Sequence, residues 1–290
     1  MSLLPVGSPT IGSTKGTCIR MPRLRGMTSS AFQPTVARRS RAFVRVAGPD
    51  AADFLERMLS NAVAALPPGE SCEALLLTPK ARVIALMRVL RRGDDDFLLL
   101  TEPELGETLR DELLRMRFAA KAEIGLEEHS SYLLLGENGA GVPNGDYGVP
   151  AVEVLDQDPP EGLPSLSDED LERLRVEAGT PRFGKEIDDR VLPAEAGLVD
   201  RAVSLSKGCF PGQEPIARLH YRGHANRGLR LLEVDGARVG AEIVRDGKVV
   251  GRVTSVAPGR ALAYVRTEVP EDAVLDIGGA EARHARMRPA

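Results

Sequence analysis

Ser206-Lys207-Gly208-Cys209-Phe210-Pro211-Gly212-Gln213-Glu214 sets a lone thiol next to a lysine in a Gly/Pro-rich turn. The following run, Pro215 to His220, reads as a short helix. Cys209 then lies just ahead of a helix N-terminus, where unsatisfied N–H groups and the helix dipole favour an anion. Together with Lys207, that setting would stabilise a thiolate, the reactive form of cysteine. Gly208 and Gly212 would shape the turn, and Gln213 and Glu214 would fix the loop. The plainer alternative is that Cys209 is a small buried hydrophobe.

Other chemistries are poorly provided for. Cys18, Cys72 and Cys209 lie far apart, which gives neither a disulfide framework nor paired metal ligands and fits a reducing compartment. His220 and His224 share a His-x-x-x-His spacing that could join Cys209 at a metal, but Gly223 should end that helix and a second cysteine is missing. No metal is therefore expected. The Gly208 to Glu214 loop lacks the Gly-Lys-Ser/Thr ending of a P-loop, and no Gly-x-Gly-x-x-Gly follows a strand.

A chain of 290 residues suggests more than one domain. Residues 1–41 hold seven basic side chains and no acid, so the remainder is more acidic than the net charge of -4 indicates. An acidic body weighs against generic nucleic-acid binding, and no apolar run is long enough to span a bilayer. The leader is expected to be a disordered extension of a cytoplasmic protein; read as an Arg- and Ser-rich transit peptide, it would instead direct the chain to an organelle matrix.

The elements that must position the thiol can be read from periodicity. Ala42 to Val46 alternates as a strand, and Asp50 should cap a helix with Ala51, Phe54, Leu55, Met58 and Leu59 on its apolar face. Glu73 to Leu77, Arg82 to Leu90 and Asp96 to Leu100 read as a meander, followed by a helix marked by Leu105, Leu109, Leu113 and Met116. Strands at Lys121 to Leu126 and Tyr132 to Leu135 come next. Ser167 and Asp170 form a capping box for Leu171 to Glu177, which should stop at Gly179. From about residue 226 the texture changes to short strands, with a hairpin at Asp246-Gly247. The expected class is α+β: a leader (1–41), a core of antiparallel sheets with helices (42–225) and a small β-barrel (226–290).

Four stretches resemble one family. Gly48-Pro49-Asp50-Ala51 with its helix, Leu77-Thr78-Pro79-Lys80, Arg175-Val176-Glu177-Ala178-Gly179-Thr180-Pro181-Arg182-Phe183-Gly184, and Lys207 to Glu214 are similar to the YgfZ proteins, relatives of the glycine-cleavage T-protein. The resemblance covers roughly residues 42 to 277. It implies a T-protein-like core that binds tetrahydrofolate or a one-carbon derivative, and partners among iron–sulfur client or assembly proteins. In this reading Cys209 and Lys207 carry the chemistry, by transient cluster contact or by redox exchange of the thiol. Glu177 would take the pterin, Phe183 or Tyr221 would stack on it, and Arg182, Arg218 and Arg227 would hold the glutamyl tail. A T-protein also uses an aspartate on the strand after the hairpin. Arg82 to Arg88 has no carboxylate, which disfavours the alternative of an aminomethyl transferase. Asp94, Asp95 and Asp96 in the next turn read as a solvated charge run.

Overall fold

The computed structural model describes residues 32–137 and 139–287; Cys18 lies outside them. In chain order the first elements are β1 (Thr35–Arg38), β2 (Ala42–Ala47), α1 (Ala51–Met58), β3 (Ser71–Leu77), β4 (Val83–Gly93) and β5 (Asp96–Thr101). Then come α2 (Gly106–Met116), β6 (Glu123–Glu127), β7 (Ser131–Leu135), β8 (Val142–Pro143), β9 (Ala151–Leu155) and α3 (Asp168–Ala178). Two further helices, α4 (Val199–Ala202) and α5 (Gln213–Arg222), lead to β10 (Arg227–Glu233) and β11 (Glu242–Arg245). The chain closes with β12 (Lys248–Ala257), β13 (Arg260–Arg266), β14 (Leu275–Ile277) and β15 (Ala280–Ala285).

Three units result. A five-stranded sheet, β3-β4-β5-β2-β6, packs against α1 and α2 around Phe54, Leu55, Leu59, Phe97, Leu99, Leu109 and Leu113. A four-stranded sheet, β1-β7-β9-β8, has its own core with Leu171 and Leu174 of α3. The strands from β10 onward close into a six-stranded barrel, β10-β13-β12-β11-β14-β15. The architecture is thus an α+β core of antiparallel sheets plus a C-terminal barrel.

Local signals translate directly. The Ser167 side chain accepts from Asp170 N–H while the Asp170 carboxylate accepts from Ser167 N–H, and Gly179 ends α3 at φ 81°. Asp246 and Gly247 both have positive φ, as a two-residue hairpin requires. Asp50 sits at the N-cap of α1, yet its carboxylate accepts from Lys121 N–H, tying the helix start to the segment just before β6. One expectation needs correction. Thr35–Arg38, inside the segment expected to be a leader, is a strand paired antiparallel with β7, and Arg39 and Arg41 follow it into the interior. Four residues are too few to show a period.

Candidate functional site

The Cys209 loop is an arch with two footings. Lys207 and Phe210 are buried, whereas Gly208 and Cys209 between them are exposed. Lys207 Nζ donates to the carbonyls of Glu56, Leu59 (2.7 Å) and Asn61 (2.8 Å), at and just beyond the C-terminal end of α1. Three donors meet three acceptors, so the ammonium is spent on capping a helix. These three hydrogen bonds run to α1 and the residues after it, not to the Cys209 sulfur. Phe210 packs among Leu75, Leu77, Val83 and Ile216. Gly212, at φ +83°, is seated on the Thr78–Ala81 turn so closely that a Cβ would stand 2.8 Å from the Thr78 carbonyl oxygen.

Gly212 is also the N-cap of α5, so the thiol lies ahead of the helix by several residues. No hydrogen bond from an α5 N–H to the Cys209 sulfur is present among the described residues. Arg218 and Tyr221, at 75% and 70% exposed, lie on the outer side of α5. Arg218 borders a groove of about 460 Å³ with Phe210, Gln213 and Glu214. Among the described residues no group of three His, Cys, Asp or Glu side chains is placed to hold a metal, which sets aside the Cys209, His220 and His224 arrangement.

A second site lies apart from the arch. A narrow cleft is lined by Leu86, Met87 and Arg88 of β4, Leu100 and Glu102 at the end of β5, Arg39 and Arg41 after β1, Asp146 and Tyr147, and Thr180 to Phe183 after α3. The slot has a volume of about 520 Å³ with its open mouth included, of which about 40 Å³ can be reached by the centre of a water molecule. Arg182 and Phe183 are on its wall. Glu177 is not: it lies on α3, half-buried and 3.5 Å from Arg173. Arg227 does not reach the cleft either, because it pairs with Glu195 (3.1 Å) and stacks on the Tyr264 ring at 4.5 Å. Nor do Arg218 and Tyr221. Asp96 is held by Arg45 and Arg92 at the β4–β5 turn, while Asp94 and Asp95 are exposed.

An ion-pair lattice builds the floor of the cleft. Arg88 donates to Glu73 (2.7 Å) and Asp146 (2.9 Å), and Arg201 reaches the same two carboxylates. Arg41 grips Glu153 with two bonds of 3.0 Å, and Ser131 and Asn144 also donate to that carboxylate. Burial alone would raise the Glu153 pKa, but the Arg41 charge and hydrogen bonds outweigh it and hold the group at about 2. Burial likewise opposes ionisation of Asp146, and Arg88 and Arg201 hold its pKa well below the usual range. These carboxylates are saturated. Glu102 differs: Oε1 accepts from Arg39 and Arg41, whereas Oε2 is buried with no hydrogen bond, although Arg182 Nη2 stands 3.3 Å away. Arg39 Nε is buried and unbonded as well.

Sequence reasoning missed Arg39, Arg41, Glu73, Arg88, Glu102, Asp146 and Glu153. A signal existed for three of them. Glu73, Arg88 and Glu153 interrupt apolar strand runs, and a charge in such a run demands a buried partner.

Residues 226–288 match the family model described as the CAF17 C-terminal beta-barrel domain. The chain is 28% identical to a putative chloroplastic transferase of Arabidopsis thaliana over 78% of its length and 63% of the plant protein. It is 25% identical to the tRNA-modifying protein YgfZ of Pectobacterium atrosepticum over 66% of this chain and 67% of that one. The crystal structure of the glycine cleavage system aminomethyltransferase T from Bartonella henselae superposes with a TM-score of 0.76 at 20% identity, covering 88% of this chain and 86% of that chain. Residues 226–288 thus resemble the barrel of the CAF17 proteins, and the chain is similar in sequence to YgfZ and in fold to a glycine-cleavage aminomethyltransferase.

Proposed function

We propose that this chain is a folate-binding accessory protein that supports assembly or repair of iron–sulfur clusters in client enzymes, with Cys209 as its working thiol. Similarity to the YgfZ and CAF17 proteins and to the aminomethyltransferase fold supports a folate ligand in general terms. The observation that carries the ligand reading is a pair of buried polar atoms without a hydrogen bond on residues lining one slot: Arg39 Nε, and Glu102 Oε2 with only the Arg182 charge 3.3 Å away. A buried polar atom left without a partner costs about 1–3 kcal/mol, which a complementary ligand would recover.

The residues fit such a ligand. Leu86, Met87, Leu100 and Phe183 supply apolar walls for a flat ring in a thin slot. Glu102 Oε2 would accept from a ring N–H or amino group, and Arg39 Nε would donate to a ring carbonyl. Arg182, 34% exposed, would meet the carboxylates of the glutamyl tail. Folate, when bound, would supply a one-carbon carrier. The β4 residues on the cleft, Leu86, Met87 and a lattice-bound Arg88, offer no carboxylate to an aminomethyl group, and this favours the accessory role over transfer. Cys209 stands exposed on its arch and apart from the cleft, where another protein can reach it.

Isothermal titration with tetrahydrofolate under anaerobic conditions tests the ligand. Wild-type binding should weaken at least about tenfold in Glu102→Gln and persist in Glu177→Ala and Cys209→Ala. Absence of wild-type binding overturns the folate reading, and aminomethyl turnover by wild type would replace the accessory role with a transferase. In a strain lacking this chain, iron–sulfur enzyme activity should be restored by wild type and not by Cys209→Ala; equal restoration overturns the role of the thiol.

A further inference from the structure

We infer that Ser255, on the barrel, is a positioning residue for the cleft: it holds Arg175 and Glu186, which in turn hold the wall from Thr180 to Phe183. As a statement about ligand binding this rests on the reading of the cleft as the folate site.

The backbone places Ser255 there deliberately. Val253 of β12 is opposite Ala263 and faces the barrel interior with it. A regular strand would turn residue 255 the same way, since side chains alternate with a period of two. The β12–β13 register shifts between Val253 and Ser255, leaving Thr254 as an extra residue. Ser255 therefore lies opposite Leu262, whose side chain packs outside the barrel against Val176 of α3. A bulge of this kind re-aims a side chain.

What Ser255 meets on that outer face is a buried ion pair. Its hydroxyl donates to Glu186 Oε1 (2.5 Å) and accepts from Arg175 Nη2 (2.9 Å). Arg175 Nη1 donates to Glu186 Oε2 (2.8 Å) and to the Thr180 carbonyl, and Glu186 Oε2 also accepts from the Arg182 N–H (3.1 Å). Arg175, Thr180 and Arg182 all line the cleft. Glu186 Oε1 has no other hydrogen bond among the described residues, so the ion pair is complete only when the barrel contributes its hydroxyl. Alanine at 255 would leave a buried carboxylate oxygen unpartnered beside the wall.

Hydrogen exchange and titration of the full chain test this together. Ser255→Ala should speed amide exchange in the peptide spanning 180–187 while leaving the barrel strands unchanged, and should weaken tetrahydrofolate binding roughly tenfold. Ser255→Thr, which keeps the hydroxyl, should restore both. Unchanged exchange at 180–187 in Ser255→Ala overturns the inference, as does wild-type affinity in that variant. Should wild type bind no folate, the folate reading fails by itself and the exchange result alone decides the role of Ser255.

Discussion

Lys207 Nζ lies 2.7 Å from the carbonyl oxygen of Leu59, so the lysine nearest Cys209 in sequence caps helix α1 instead of facing the thiol. Its side chain is fully buried, with Glu56 Oε1 3.6 Å away. Lys207→Met should therefore cost about 2–3 kcal/mol, the worth of hydrogen bonds to a buried charge, measured as a lowered urea midpoint. Under conditions where both proteins are folded, alkylation of Cys209 by iodoacetamide should proceed at the same rate with and without the lysine. A large drop in that rate without loss of stability would return Lys207 to the chemistry.

The two glycines of the arch should behave oppositely. A Cβ at Gly212 would meet Thr78 O at 2.8 Å and the Ala81 Cα at 2.9 Å, on a backbone already at φ +83°. Gly212→Ala should destabilise by about 1–3 kcal/mol. Gly208 has no atom within 4 Å of a built Cβ, and Gly208→Ala should stay within about 0.5 kcal/mol of wild type. Equal effects of the two substitutions in thermal melts would refute the seating of Gly212 on the hairpin turn.

Much of the fold was legible because its signals are local. The α1 periodicity, the Ser167 capping box and the Asp246-Gly247 hairpin each act within a few residues. Strand β1 was not legible, since four residues have no period and its warrant is the partner β7. The site followed the same division. Arg182 and Phe183 of the motif line the cleft and Glu177 does not, because neighbours in that motif point to different sides of α3: Arg175 turns inward to Glu186 and Glu177 outward to Arg173. The contacts of Lys207 were not legible, because sequence adjacency to Cys209 says nothing about a side chain that reaches back to residues 56–61.

His129 joins two sheets, with Nδ1 on Asp156 (2.5 Å) after β9 and Nε2 on Glu127 (3.0 Å) of β6. Its partial burial lowers the pKa, but hydrogen bonds to Asp156 and Glu127 outweigh that and raise it above 6.5. A raised folded value means that the stabilisation is fully present below the unfolded value near 6.5 and is lost as pH rises through the folded value. Wild type should accordingly lose urea resistance on the alkaline side of pH 6.5 relative to His129→Gln. Parallel profiles for the two proteins would mean that the imidazolium contributes nothing to the junction.

Glu153 gives the opposite dependence. Its carboxyl falls from 4.5 to about 2 in the folded chain, because the attraction of Arg41 overcomes the penalty of burial. A depressed value means stability present above about pH 4.5 and lost as pH falls towards 2, on the order of 3 kcal/mol for this group. Glu153→Gln should be destabilised at pH 7 by about 3–5 kcal/mol, since Arg41 would keep its buried charge without its main partner. The difference between wild type and variant should then shrink between pH 4.5 and 2 as the wild-type carboxylate protonates. Urea midpoints across that range decide the matter: a difference that stays constant with pH would show that Arg41 does not hold Glu153 ionised, and that the cleft floor is secured by packing instead.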